Sequence, residues 1–264
     1  MAKYFLRLSY NGGQYRGWQR QPNAPSVQQN LEEALQKVFK QKINCIACGR
    51  TDAGVHASQF FCHIKIAEAV QFDLVGRLNR ILPTDISISE VIEVPRDAHA
   101  QHDAVSRTYD YYFHTFRDAF LSPLSTYYPP EKLAIARMDS VVQQLLGTHD
   151  FRGFCKQPDL YKHTRCTLTA ARLFAHPSKN QWCIRLSANR FLRGMVRIVV
   201  ANLLELAYGR MTEKAFSDCL QNGDAPPHFN AAYPQGLYLS KVEYPYLKRP
   251  MANLLNTNWG LHSP

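Results

Sequence analysis

The stretch Gly49–Ala57, GRTDAGVHA, sets one carboxylate, Asp52, two residues behind a guanidinium, Arg50, among mostly small residues. Gly49 and Gly54 let such a loop turn sharply and let another segment approach its backbone. Neighbouring cations stabilise an ionised carboxylate. An ionised aspartate shielded from water is a nucleophile or a stabiliser of positive charge. The loop offers no second acid, so the carboxylate pair of glycoside hydrolysis is missing, as is the Asp/Glu/His grouping of a metal site. An aspartate before Ala-Gly is also an ordinary turn former, and context has to choose.

Arg197 supplies some of that context. It sits in Met195-Val196-Arg197-Ile198-Val199-Val200, on a helix whose composition requires burial. A buried guanidinium is costly without a carboxylate or phosphate partner. The alternative is that it reaches solvent from the first turn. If it is paired, Asp52 is the best candidate, because its loop has little else to pair with. In the run RTYDYYFHTF (107–116), Tyr109, Tyr111 and Phe113 alternate with Asp110, Tyr112 and His114. Tyr111 and Phe113 read as core. Tyr109, near Arg107 at the start of the strand, either joins that core face or stacks on a base as readers of single-stranded RNA do. The loop NGGQYRGWQRQPNAP (11–25) mixes Tyr15 and Trp18 with Arg16 and Arg20. That mixture suits nucleic acid, and it equally suits a loop packed on a neighbour.

These residues need a scaffold. The 264 residues suffice for one large domain or two modest ones, and 45% hydrophobic content supports a real core. KYFLRLSY (3–10) alternates as a half-buried strand. Ser26, with Gln29 as capping-box partner, starts a helix with its stripe at Leu31, Ala34, Leu35 and Val38. INCIAC (43–48) and FFCHIKI (60–66) read as strands, DLVGRLNRIL (73–82) as a helix before Pro83, and DISISEVIEV (85–94) as a strand. The order β-α-β-β-α-β is a ferredoxin-like split pattern. Beyond the aromatic strand, the sequence predicts a helix over 130–147, strands near 168–176 and 182–188, a helix over 193–209 and a last strand at 236–244. We expect two α+β halves, 1–100 carrying the Asp loop and 101–264 carrying the Tyr strand and Arg helix, with their sheets joined around a central basic cleft.

The formal charge is +10, with 31 Lys and Arg against 21 Asp and Glu. Residues 1–100 hold 12 against 9, which leaves 19 against 12 for residues 101–264. Folded chains this basic bind polyanions, above all phosphate backbones. Seven cysteines, an odd number, scattered along the chain suit a reducing compartment better than a disulfide framework. Cys45 and Cys48 have the spacing of half a zinc site, with His56 and Cys62 imaginable as the rest. Buried cysteines on a strand are the simpler reading, and no metal is expected. No segment reads as a signal peptide or reaches the roughly 18 apolar residues of a membrane span, so the expected compartment is the cytoplasm.

Taken in order, YNGGQYRGWQRQ, SVQQNLEEAL, GRTDAGVHA, SRTYDYYF, GTHDFRGF, FLRGMVRIVV and GLYL resemble the tRNA pseudouridine synthase A family over nearly the whole chain. The resemblance implies the pseudouridine synthase fold, a homodimer, no cofactor, and isomerisation of uridines 38, 39 and 40 in the tRNA anticodon stem-loop. It implies that Asp52 is the catalytic aspartate, that Tyr109 stacks on the target base, that Arg197 pairs with Asp52, and that Arg50 grips RNA or drives base flipping. Family members often carry Phe-His-Ala-Arg-Phe-Ser before the tyrosine strand. Here the stretch is Ala98-His99-Ala100-Gln101-His102-Asp103, so Gln101 stands where the family has arginine. Two alternatives differ in class. One is an RNA-binding protein of the same fold that has lost catalysis. The other is a phosphohydrolase with an aspartyl nucleophile, which would want a second, metal-binding carboxylate close by.

Overall fold

The computed structural model describes residues 1–227 and 229–247. The chain divides into two compact units, one of residues 1–105 with 238–247 and one of residues 106–237. In the first unit come β1 (Ala2–Tyr10), α1 (Val27–Phe39), β2 (Ile46–Ala47), β3 (His56–Ile66), α2 (Leu74–Ile81) and β4 (Ile86–Val94). The sheet order β4-β1-β3-β2 is that of a split βαβ unit, antiparallel throughout. Side chains decide the helix ends. The Ser26 hydroxyl accepts from Gln29 N at α1, and the Asp73 carboxylate accepts from Gly76 N at α2. Val27, Leu31, Ala34 and Leu35 bury one face of α1, as its spacing requires.

INCIAC is a strand only at its centre. Cys45 N donates to Glu32 Oε1 at 3.1 Å, and Cys45 O accepts from Gln28 Nε2 at 3.2 Å. Side chains of α1 thus take the backbone groups that a ladder would use. Cys45, Cys48 and Cys62 are all buried free thiols. Among the described residues no group of three or more His, Cys, Asp or Glu is placed to hold a metal ion. Nor is any helix among them long and apolar enough to cross a membrane.

The second unit holds β5 (Ser106–His114), β6 (Thr126–Tyr127), α3 (Ile135–Val142), β7 (Gly147–Asp150), β8 (Arg165–Ala175), β9 (Gln181–Ala188), α4 (Met195–Ala207) and α5 (Glu213–Asn222). Its antiparallel order is β5-β9-β8-β7, with β6 parallel to β5. The helix expected from residue 130 starts only at Ile135. Lys132 has φ +65°, a left-handed conformation that no right-handed helix contains, and Ala134 N bonds to Ala207 O at 2.9 Å. Gly147, expected at the helix end, has φ +97° and opens β7. Helix α4 is buried on most sides, Met195, Ile198, Val199 and Leu203 completely. The last strand, β10 (Leu237–Glu243), belongs from Tyr238 onward to the first unit, where Tyr238 and Leu239 pair in parallel with His56 and Ala57 of β3.

The stretch that departs from the family pattern closes as a tight turn in the first unit. Asp103 Oδ2 accepts from His99 N at 2.7 Å, and Lys3 Nζ donates to Ala98 O at 2.7 Å. His63 lies beneath it, 2% exposed, its Nδ1 accepting from Ala100 N at 3.1 Å. Burial, then the nearby His99, Lys3 and Lys65, push its pKa down to about 4, with Asp103 pulling the other way. The unfolded chain therefore binds the proton more tightly, and stability is complete above the ordinary histidine value of 6.5 and declines as pH falls toward 4. We expect the urea midpoint to drop between pH 7 and pH 5 by the equivalent of up to about 2 kcal/mol. His63→Gln should flatten that dependence; a wild-type midpoint constant over the interval would contradict it.

Candidate active site

The Asp52 loop is held by the segment that precedes α1. Trp18 N donates to Thr51 O at 3.2 Å and Gly54 N to Tyr15 O at 3.2 Å. The Tyr10 and Thr51 hydroxyls share a hydrogen bond of 2.8 Å. Within the loop, Val55 N closes a turn onto Asp52 O at 3.2 Å. Behind it, His56 Nδ1 accepts from Gly12 N at 3.0 Å, and the His56 ring stacks on Tyr238 with centroids 4.6 Å apart. An imidazole that accepts at Nδ1 carries its proton on Nε2 when neutral, so this contact sets the tautomer. Asp52 ends half-buried and Arg50 exposed, on one rigid loop.

Two glycines make this approach possible. A Cβ on Gly12 would lie 2.0 Å from Val55 O. A Cβ on Gly17, whose φ is +89°, would lie 2.3 Å from Thr51 O and 3.0 Å from the Asp52 carbonyl carbon. Both collisions are with backbone, so the loop itself has to move. A displacement of about 1 Å in a catalytic group costs about 100-fold in rate. Gly17→Ala is expected to lower turnover on that scale in a protein that still folds, read by tritium release beside a thermal melt. Undiminished turnover would show that the seating of Asp52 does not matter.

The mixed loop at 11–25 is resolved in favour of packing. Tyr15 is 6% exposed and Trp18 1%, the latter stacked on Phe60 at 4.3 Å. Tyr15 donates to Asp85 at 2.6 Å. Both cations of that loop, Arg16 and Arg20, face solvent, and Arg20 reaches Glu32 at 3.4 Å.

In the second unit, Tyr109 lies near the start of β5, opposite Leu186 of β9, half-buried. Phe191 meets its ring edge-on at 5.1 Å and 86°. Tyr111 and Phe113 are core, as expected, but so are Asp110, Tyr112 and His114 on the other face. Arg197 lies in the first turn of α4, half-buried, its Nε donating to Ala232 O at 2.6 Å. That bond fixes the guanidinium from one side. Sequence reasoning missed Gly12, Gly17, His56 and Phe191 as supports. The doubled glycine of NGG and the His of the motif were the available signals; nothing marked Phe191.

Residues 141–245 match the family described as tRNA pseudouridine synthase. Full-length comparison decides more. A protein named tRNA pseudouridine synthase A from Porphyromonas gingivalis is 40% identical over 252 residues, covering 93% of this chain and 98% of its own length. The chain belongs to the tRNA pseudouridine synthase A family. Proteins of the same name from Parabacteroides distasonis (38% identical, 93% and 97% covered) and Chlorobaculum tepidum (36% identical, 90% and 96% covered) agree. The family membership extends to both units, and the α+β architecture of each fits the pseudouridine synthase fold.

Proposed function

We propose that the chain converts uridine to pseudouridine in tRNA, at positions 38, 39 and 40 of the anticodon stem-loop. The observation that carries this is 40% identity to a tRNA pseudouridine synthase A along 93% of the chain. The firmly seated Asp52 loop supports it. In the reaction the C1′–N1 bond breaks, the uracil turns over, C1′–C5 forms, and the proton lost from C5 is balanced by one gained at N1. No net oxidation occurs, so residues alone suffice and no cofactor is invoked.

Asp52 is assigned the catalytic role, by addition to the sugar or base or by promoting loss of a sugar proton. Tyr109 is assigned to the target base, by stacking and by proximity to the C5 proton. Arg50 and Arg197 are assigned to substrate binding. Extruding the target nucleotide costs a few kcal/mol, offset by stacking and by contacts to phosphate. A homodimer acting in the cytoplasm completes the proposal. The test is tritium release from tRNA labelled at uridine C5, with the modified positions mapped. Release confined to 38–40 is expected. Binding of tRNA without release would instead identify a catalytically inactive RNA-binding protein.

A further inference from the structure

Around the turn that leads into α4, two guanidiniums meet uncharged groups and a lysine stem packs against a glycine. Arg193 NH1 donates to Gln157 Oε1, and the Arg193 backbone N–H donates to the Tyr161 hydroxyl at 3.0 Å. The Arg190 guanidinium lies 5.4 Å from the centre of the Tyr161 ring. Lys156 N bonds to Arg193 O at 3.0 Å, and the Lys156 stem covers Gly194, where a Cβ would meet its Cγ at 2.9 Å. These bonds bring 156, 161, 190 and 193 together. Among the described residues, no carboxylate forms an ion pair with Lys156, Arg190 or Arg193. Arg152 nearby differs, because Asp159 takes its charge at 2.6 Å.

Lys156 also lines an open groove of about 320 Å³, as does Phe229, 45% exposed. Positioned cations without counter-charges suit a polyanion supplied from outside. An exposed aromatic in the same groove as Lys156 suits a stacked base, because every base offers a π face. A membrane surface would supply anions but nothing for Phe229 to stack on. Single-stranded RNA supplies both.

We propose that Lys156, Arg190, Arg193 and Phe229 form an RNA-binding surface that holds a phosphodiester stretch and one unpaired base of the substrate tRNA, in addition to the residues assigned to isomerisation. The proposal rests on the tRNA reading and adds a second point of attachment. It predicts an effect on binding rather than on chemistry.

The test measures tRNA affinity against salt, and steady-state tritium release, for the wild type and the triple variant Lys156→Gln, Arg190→Gln, Arg193→Gln. Three lost phosphate contacts should reduce the slope of log affinity against log salt by about 2. The KM for tRNA should rise about tenfold or more while kcat at saturation stays within about twofold. Phe229→Ala should raise KM about tenfold with the salt slope unchanged, because stacking releases no counterions. A charge-matched control, Lys37→Gln, Lys40→Gln, Lys42→Gln on and after α1, should leave slope and KM near the wild type. Wild-type isomerisation with an unaltered triple variant would overturn the surface and leave the function standing. An equal loss in the control would overturn it too, by showing an effect of net charge alone. A wild type that binds tRNA through this surface but releases no tritium would instead overturn the isomerase reading alone.

Discussion

Asparagine in place of Asp52 is expected to lower tritium release from C5-labelled uridine in tRNA on the order of 10⁴-fold, the scale lost with a group that takes part directly in bond making. The amide matches the carboxylate in size and keeps the loop seated, since Asp52 joins its turn through backbone O to Val55 N. Affinity for tRNA should change little, because one half-buried side chain is a small share of a polyanion contact. Asp52→Glu separates charge from placement. It keeps the carboxylate but advances it by one methylene on a loop that cannot retreat, with Gly17 and Gly12 already in contact with its backbone. A loss of about 100-fold is expected for it. An asparagine variant within about tenfold of wild type in single-turnover release would remove Asp52 from the chemistry, whatever the family membership suggests.

The loop was legible because its signals are local. Glycine spacing in GRTDAGVHA announces a tight, approachable turn, and Asp52 is the one carboxylate in it. The segment it rests on was half legible. Tyr15 and Trp18 beside Arg16 and Arg20 look alike whether they wait for RNA or fill a core, and only tertiary placement separates the cases. INCIAC forms a strand only at Ile46–Ala47 for a similar reason. Its hydrophobic pattern is right, but Glu32 and Gln28 of α1 intercept the Cys45 backbone, a contact between positions 13 and 17 apart that no local pattern encodes.

In the second unit some errors lie at the ends of elements, and others are elements missed outright. Pro130 and Gly147 are good helix boundaries in isolation, yet Lys132 in a left-handed conformation delays α3, and the same glycine serves β7. Helix α5 passed unnoticed although Thr212 caps it, accepting from Ala215 N at 3.1 Å, and Gly223 ends it with φ +73°. Its hydrophobic stripe is short, with Phe216, Cys219 and Leu220 buried, too few for periodicity to stand out from a polar stretch. Tyr109 could be placed on a strand from alternation, but not Phe191 against it, because that contact depends on the connection between β9 and α4.

Removing the Asp110 carboxylate is expected to destabilise the second unit by about 3–5 kcal/mol. Asp110 stands directly opposite Arg185 across the β5–β9 ladder, fully buried. Arg185 donates from Nε to Oδ1 at 2.6 Å and from NH2 to Oδ2 at 2.9 Å, a two-point pairing. The Arg185 side chain is 25% exposed, and its guanidinium lies 5.2 Å from the centre of the Phe174 ring. Asp110→Ala removes this two-point carboxylate pairing from a cation that is three-quarters buried, and urea unfolding should reveal the cost. Replacing both members, Asp110→Leu with Arg185→Met, removes the stranded charge along with the pair, and the expected change is within about 2 kcal/mol of neutral. Asp110 is adjacent to Tyr109 on β5 but faces the other way. The double variant should therefore retain tritium release at 25 °C, while the alanine variant loses it in step with its folded fraction. A single Asp110→Ala that costs less than about 1 kcal/mol would mean that the strand carrying Tyr109 is held by its apolar neighbours alone.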